Sequence, residues 1–239
     1  MKQVVLVTGG TQGIGLGLAE AFLRRGDSVA VCGRSQAALD MFSSAHPEAL
    51  AVRADVTNAR DRTDMLEAVA AQFGRLDVLI NNAGVFIERD FAAGLNPTDG
   101  LDQEVAINLT GPIHLTDAVL KRWPQITSIV FVTSGFALVA PTRAPTYGAA
   151  KAGLHAYAEA LRRQLAHKGT HVMELLPPAV DTQMNATFQG KKMSTEELAA
   201  TTLNALSLRQ TMALPGSTKM LPFLLRLAPR TVSKMVASM

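Results

Sequence analysis

Val4-Val5-Leu6-Val7-Thr8-Gly9-Gly10-Thr11-Gln12-Gly13-Ile14-Gly15 decides the fold. An apolar run of strand length enters a glycine-rich turn, and a helical pattern opens at Ile14. Glycine lets the backbone turn tightly and approach a bound group closely. The free N–H groups and positive potential of the following helix N-terminus favour a phosphate. Strand, glycine turn and helix in that order point to a nucleotide pyrophosphate. Its expected contacts are Gly9, Thr11, Gln12, Gly13, Ile14 and Gly15.

Outward from this turn, apolar strands alternate with helical patterns. Candidate strands are Val4–Thr8, Ser28–Cys32, Leu50–Arg53, Val78–Asn81, Ser128–Thr133 and Val172–Leu176. Several are near-continuous Val, Ile and Leu, as parallel strands covered on both faces require. Candidate helices are Ile14–Arg25, Gln36–Ser44, Ala59–Phe73, Leu101–Arg122 and Tyr147–Ala166, with Asn58 as N-cap of the third. Regular β-α-β alternation predicts an α/β class: a single-domain Rossmann fold, a doubly wound parallel sheet with helices on both faces. The expected division is a nucleotide-binding domain with an integrated catalytic site over 1–218, followed by a basic amphipathic tail over 219–239. Between them, Asp181–Met193 reads as a substrate lid or a plain surface loop, and Ser194-x-x-Glu197 opens one more helix by a capping box.

A carboxylate at the end of the second strand would hold a ribose 2′-hydroxyl. This chain has Gly33-Arg34-Ser35 there. A guanidinium suits a 2′-phosphate that a carboxylate would repel, so Arg34 and Ser35 predict NADP(H). Asp55 and Val56 follow the third strand, where they would meet the adenine. Asn82, Ala83 and Gly84 end the fourth, where small residues admit the cofactor and asparagine amides tie strands together.

Tyr147-Gly148-Ala149-Ala150-Lys151 supplies the chemistry. Residues four apart share a helix face. A cation beside a phenol favours the phenolate, and a tuned phenol exchanges a proton with an alcohol or carbonyl oxygen. Ser134 lies upstream of this pair and well downstream of the glycine turn.

Together, Thr8–Gly15, Asn81–Gly84, Asn108 in Ile107-Asn108-Leu109, Ser134, Tyr147 and Lys151 resemble the short-chain dehydrogenase/reductase family in its compact form. The likeness spans residues 3–182. Val31–Ser35, Val132–Gly135 and Pro177–Thr182 look like the branch named after a dehydrogenase of the lipoteichoic-acid D-alanylation operon. The resemblance implies a catalytic set. Tyr147 is general acid or base, and Lys151 lowers its pKa and binds the nicotinamide ribose. Ser134 orients the substrate oxygen, and Asn108 holds a relay water. It also implies that Pro177, Val180 and Thr182 contact the nicotinamide. Many members carry Pro-Gly where this chain has Pro177-Pro178, so a stiffer loop is expected. The function implied is hydride transfer between NADP(H) and a carbonyl or secondary alcohol. A cofactor-binding regulator without turnover and a nucleotide-sugar epimerase or dehydratase are the rival readings. The complete Ser134, Tyr147, Lys151 and Asn108 set counts against the first, and glycine spacing and chain length against the second.

Position nominates Phe86, Ile87, Phe136, Leu138, Met184 and Phe188 for a mostly apolar substrate pocket, with Arg143 as a possible anion contact. No metal site is expected. On the Tyr147–Ala166 helix, Leu154, Ala158, Leu161 and Leu165 form a core row. Ala149, Gly153, Ala156 and Ala160 form a small-residue row, open to a partner helix or to the chain's own preceding helix. Family members commonly pair through this helix, so a homodimer or homotetramer is expected. The one cysteine, Cys32, sits in an apolar run, and with no charged leader a cytoplasmic location is expected. Net charge is +3, yet residues 1–197 hold 18 basic against 20 acidic groups. No basic stripe for nucleic acid runs through the body. The excess sits after Glu197, in Arg209, Lys219, Arg226, Arg230 and Lys234. There Leu221, Leu224, Leu225, Ala228, Val232, Met235, Val236 and Met239 fall on one face. This tail docks on its own domain or on a partner subunit, or it lies on an anionic membrane surface.

Overall fold

A computed structural model of the protein describes residues 2–95 and 98–237. Seven parallel strands form one sheet in the order β3-β2-β1-β4-β5-β6-β7. They are β1 Val4–Thr8, β2 Ser28–Gly33, β3 Leu50–Arg53, β4 Val78–Asn81, β5 Ser128–Val132, β6 His171–Leu175 and β7 Met212–Ala213. β1, β4, β5 and β6 are buried along their whole length. This is the doubly wound sheet the apolar runs require.

Helices α1 Gly13–Arg24, α2 Gln36–Ala45 and α7 Thr195–Ser207 pack on one face of the sheet. Helices α3 Ala59–Phe73, α5 Gly111–Arg122 and α6 Pro145–Leu165 pack on the other. Successive strand side chains alternate between faces. Val5 and Val7 therefore join Leu18, Phe22 and Leu198, while Val4 and Leu6 join Met65, Leu115 and Leu154. Leu154, Ala158, Leu161 and Leu165 are all buried in the second core. The short helix α4 Leu101–Val105 passes through a π-helical turn, Ala106–Thr110, into α5.

Local chemistry sets the helix starts. Asn58 accepts from the N–H groups of Arg60 and Asp61, and Ser194 from that of Glu197. Gly17 brings α1 against α7, because a Cβ there would lie 2.8 Å from the Thr195 Cβ. The edge strand β7 has two residues and no periodic pattern to announce it.

The tail forms α8 Leu221–Leu227 and α9 Pro229–Ala237, each begun near a proline. The single face expected for it is split. Val232 and Val236 are buried and Leu225 and Ala228 partly so, whereas Leu224 and Met235 are exposed. Met239 lies outside the described residues. Among the described residues, no helix is long and apolar enough to cross a membrane.

Candidate functional site

The chain order reverses between β1 and β4, and a crevice opens at the carboxyl ends of the strands there. It has two lobes that share Gly9, Gln12, Ala83 and Gly84. The larger, about 420 Å³, is walled by Phe86, Ser134, Phe136, Tyr147 and Lys151. The smaller, about 240 Å³, is walled by Thr11, Arg34, Ser35, Asp55 and Val56.

The glycine turn is held by the strands beside it. Gly9 and Gly13 have φ of +62° and +54°, which side-chain-bearing residues rarely adopt. A Cβ on Gly15 would lie 2.1 Å from the Gly9 carbonyl oxygen and 2.5 Å from Asn82 Nδ2. Gly15 therefore serves this packing and does not line either lobe, unlike the other residues of the expected pyrophosphate set. Asn82 Nδ2 donates to the Thr8 carbonyl at 2.8 Å. The Thr8 hydroxyl accepts from the N–H groups of Asn82 and Ala83. Thr8 thus joins β1 to the end of β4, a role its place inside an apolar run concealed.

The helix start that faces the cleft carries no side-chain cap at Gln12 and no acidic residue in its first turn. No carboxylate lines the larger lobe among the described residues, whereas Arg143, Lys151 and Lys191 do. Uncapped N–H groups, left-handed glycines and a cationic wall fit a dinucleotide's phosphates. In the second lobe Arg34 is exposed and makes no ion pair among the described residues. Ser35 caps α2 through the Ala38 N–H, and Asp55 accepts from the backbone and hydroxyl of Thr57.

Tyr147 and Lys151 lie on buried positions of the first turns of α6. Phe86 and Phe136 meet the Tyr147 ring edge-on, with centroids 5.0 and 6.4 Å away. Lys151 Nζ donates to the Val132 carbonyl at 2.9 Å and sits 5.7 Å from the phenol ring centroid. Asn108 lies in the π turn, a form of helix frequent at functional sites. Its amide exchanges hydrogen bonds with the backbone of Val85. A Cβ on Gly84 would come 2.9 Å from Asn108 Oδ1 and 3.5 Å from Lys151 Nζ, so both groups flank that glycine.

The expected lowering of the Tyr147 pKa is not what this structure shows. Burial pushes the phenol up to about 12, opposed by a hydrogen bond with Ser134 and reinforced by the Glu104 carboxylate. Burial also brings the Lys151 ammonium down to about 8. The amine donates to the Val132 carbonyl, and desolvation is the largest influence on both groups.

Three further expectations change. Leu138 does not line the cleft, whereas Val139 does. Leu138 is the cap that ends the 3₁₀ turn Gly135–Ala137, and the chain bends at Val139 just beyond it. Val180 is fully buried in the first core, where a bridge to Met193 turns it inward, while Pro177 and Thr182 do line the cleft. Ile87 stands outside the cleft wall and donates its N–H to Glu104. Met184 and Phe188 line the larger lobe as expected. Arg143 also lines it, with its guanidinium over the Phe86 ring and on Glu88 at 2.6 Å.

Sequence reading missed a buried cluster beside Tyr147. Arg89 and Glu104 form an ion pair at 3.2 Å with both side chains fully inaccessible, and Thr146 donates to the same carboxylate. It also missed Ser217, Thr218, Leu221, Met235 and Val236 as cleft residues; the amphipathic tail pattern signalled the last three, and no pattern signalled Ser217 and Thr218.

The family model for short chain dehydrogenases matches residues 3–192. An uncharacterized oxidoreductase, DltE of Bacillus subtilis (strain 168), is 36% identical over 194 residues, covering 80% of this chain and 77% of that protein. A short chain dehydrogenase from Burkholderia cenocepacia J2315, in complex with NADP, superposes with a TM-score of 0.86 at 25% identity. It covers 98% of this chain and 97% of its own. A 3-ketoacyl-(acyl-carrier-protein) reductase from Brucella melitensis, complexed with NADH, superposes at 0.79 with 27% identity over 85% and 90% of the two chains. With its glycine turn, its sheet order and its Ser134, Tyr147 and Lys151 in one cleft, the chain belongs to the short chain dehydrogenase family, in the branch that includes DltE.

Proposed function

We propose that the protein is an NADP(H)-dependent oxidoreductase that interconverts a hydrophobic ketone and its secondary alcohol. The observation that carries this reading is that Ser134, Tyr147 and Lys151 line one cleft continuous with the glycine turn. Gln12, Gly13 and Ile14 would hold the pyrophosphate, Arg34 and Ser35 a 2′-phosphate, and Lys151, Pro177 and Thr182 the nicotinamide end. When bound, the reduced nicotinamide supplies the hydride to the carbonyl carbon.

The protein's own groups handle the proton. A phenol raised to about 12 keeps its proton at neutral pH, which is the form a general acid requires. Ser134 polarises the carbonyl by donating to its oxygen, and Tyr147 delivers the proton to that oxygen. The Lys151 ammonium then stabilises the phenolate, and its site beside Asn108 gives the returning proton a polar route. In oxidation the same groups act in reverse. Phe86, Phe136 and Phe188 make the substrate wall apolar. The 2′-phosphate preference rests on Arg34, since the family's solved structures hold both NADP and NADH.

A panel of cyclic and aromatic ketones with NADPH, followed by loss of dihydronicotinamide absorbance, tests the reading. Turnover of apolar ketones above charged sugars is expected. Failure of every ketone and alcohol, in either direction, would overturn it.

A further inference from the structure

The tail has two apolar faces. The inner one closes the cleft: Leu221, Met235 and Val236 line it, and Val232 is buried beneath. The outer one is Met220, Phe223, Leu224 and Leu227, spaced i, i+3, i+4 and i+7 around α8 and 51%, 53%, 38% and 69% exposed. A globular protein ordinarily puts polar residues on that face. Lys219 precedes α8, Arg226 lies in its last turn, and Arg230 and Lys234 follow on α9; all four are exposed and outside any ion pair among the described residues. No acidic residue follows Glu197 in the sequence.

We propose that α8 docks on an anionic membrane surface. The stripe sinks below the headgroups, and the four cations meet lipid phosphates. Charge argues against a second copy as occupant, because a two-fold contact through α8 would set the same cations against one another. Leu221 belongs to both the docking helix and the cleft wall, so docking sets the wall of the cleft beside the lipid. A substrate dissolved in the bilayer then reaches Tyr147 without crossing water, a consequence that rests on the proposed reductase activity. The docking itself does not.

Co-sedimentation of the full-length protein with phosphatidylglycerol–phosphatidylcholine vesicles, and with phosphatidylcholine alone, tests it. Salt-sensitive binding to the anionic vesicles only is expected. Phe223→Glu with Leu227→Glu should weaken it at least about tenfold. Arg226→Ala with Arg230→Ala should weaken it about fivefold for each cation removed. Melting temperature and turnover of a water-soluble ketone, read on the same samples, should match the wild type, which separates loss of docking from loss of folding or activity. Absence of vesicle binding, or binding that the Phe223/Leu227 variant leaves unchanged, overturns the proposal. An oligomer that this variant dissociates, with no vesicle binding, or capture by an acidic protein alone, assigns the stripe to another occupant and overturns it too.

Discussion

Lys151 carries a charge where its surroundings oppose one. Its folded-state pKa of about 8 lies below the ordinary 10.5, so the folded state releases its proton first as pH rises. The unfolded chain binds more protons across that window, and stability therefore climbs with pH there and falls as pH drops through about 8. Measured by denaturant titration, the stability of the wild type relative to Lys151→Met should rise by ~3 kcal/mol between pH 8 and 10.5. A flat difference would remove the burial penalty from the account. Arg34 is tested by affinity. Arg34→Ala should weaken NADPH binding about 10- to 100-fold, as losing hydrogen bonds to a charged group does, and leave NADH within about twofold. Equal losses for both would place Arg34 away from any 2′-phosphate. The placement of these residues was partly legible: Tyr147, Lys151 and Ser134 line the cleft, whereas Asn108 is buried behind Gly84 and lines neither lobe. The direction of the Tyr147 shift was not. A spacing of four residues reports a shared helix face but neither the dryness of the site nor where the ammonium points.

At the scale of elements, the loop after β4, helix α4 and the start of α6 meet at Arg89, Glu104 and Thr146. The pair is wholly inaccessible, so removing one partner leaves an uncompensated charge. Glu104→Ala should cost ~3–5 kcal/mol in a denaturation experiment. A loss below about 1 kcal/mol would show that the loop bearing Phe86 is held by other contacts. Nothing in the sequence links these residues, because their contact is made by the fold and not by spacing. Strand and helix boundaries were legible wherever apolar runs or caps were strong, as at Val4–Thr8 and at Asn58. They failed where a tertiary partner does the work. β7 exists as an edge addition to β6, and Val180 turns inward through its bridge to Met193.

Across the whole molecule, two apolar cores clamp the sheet, and the cleft opens where the strand order turns back at β1 and β4. That architecture follows from β-α-β alternation and right-handed crossovers, so the cleft's place could be read from the order of segments. The tail's contribution could not. An amphipathic segment announces an apolar face but not what covers it, and here Leu221 and Val236 close the cleft while Phe223 and Leu227 face solvent. On the small-residue row of α6, Gly153 faces Leu109 of the same chain, whereas Ala149 and Ala156 are exposed.

The claim on which the rest depends is that one phenol hands a proton to the substrate oxygen. Its most direct test is Tyr147→Phe, assayed for NADPH-dependent ketone reduction and, by fluorescence titration, for NADPH affinity. The account predicts turnover lower by at least about 10²–10⁴-fold with NADPH affinity unchanged. Turnover within about threefold of the wild type would contradict the proton's assignment to Tyr147.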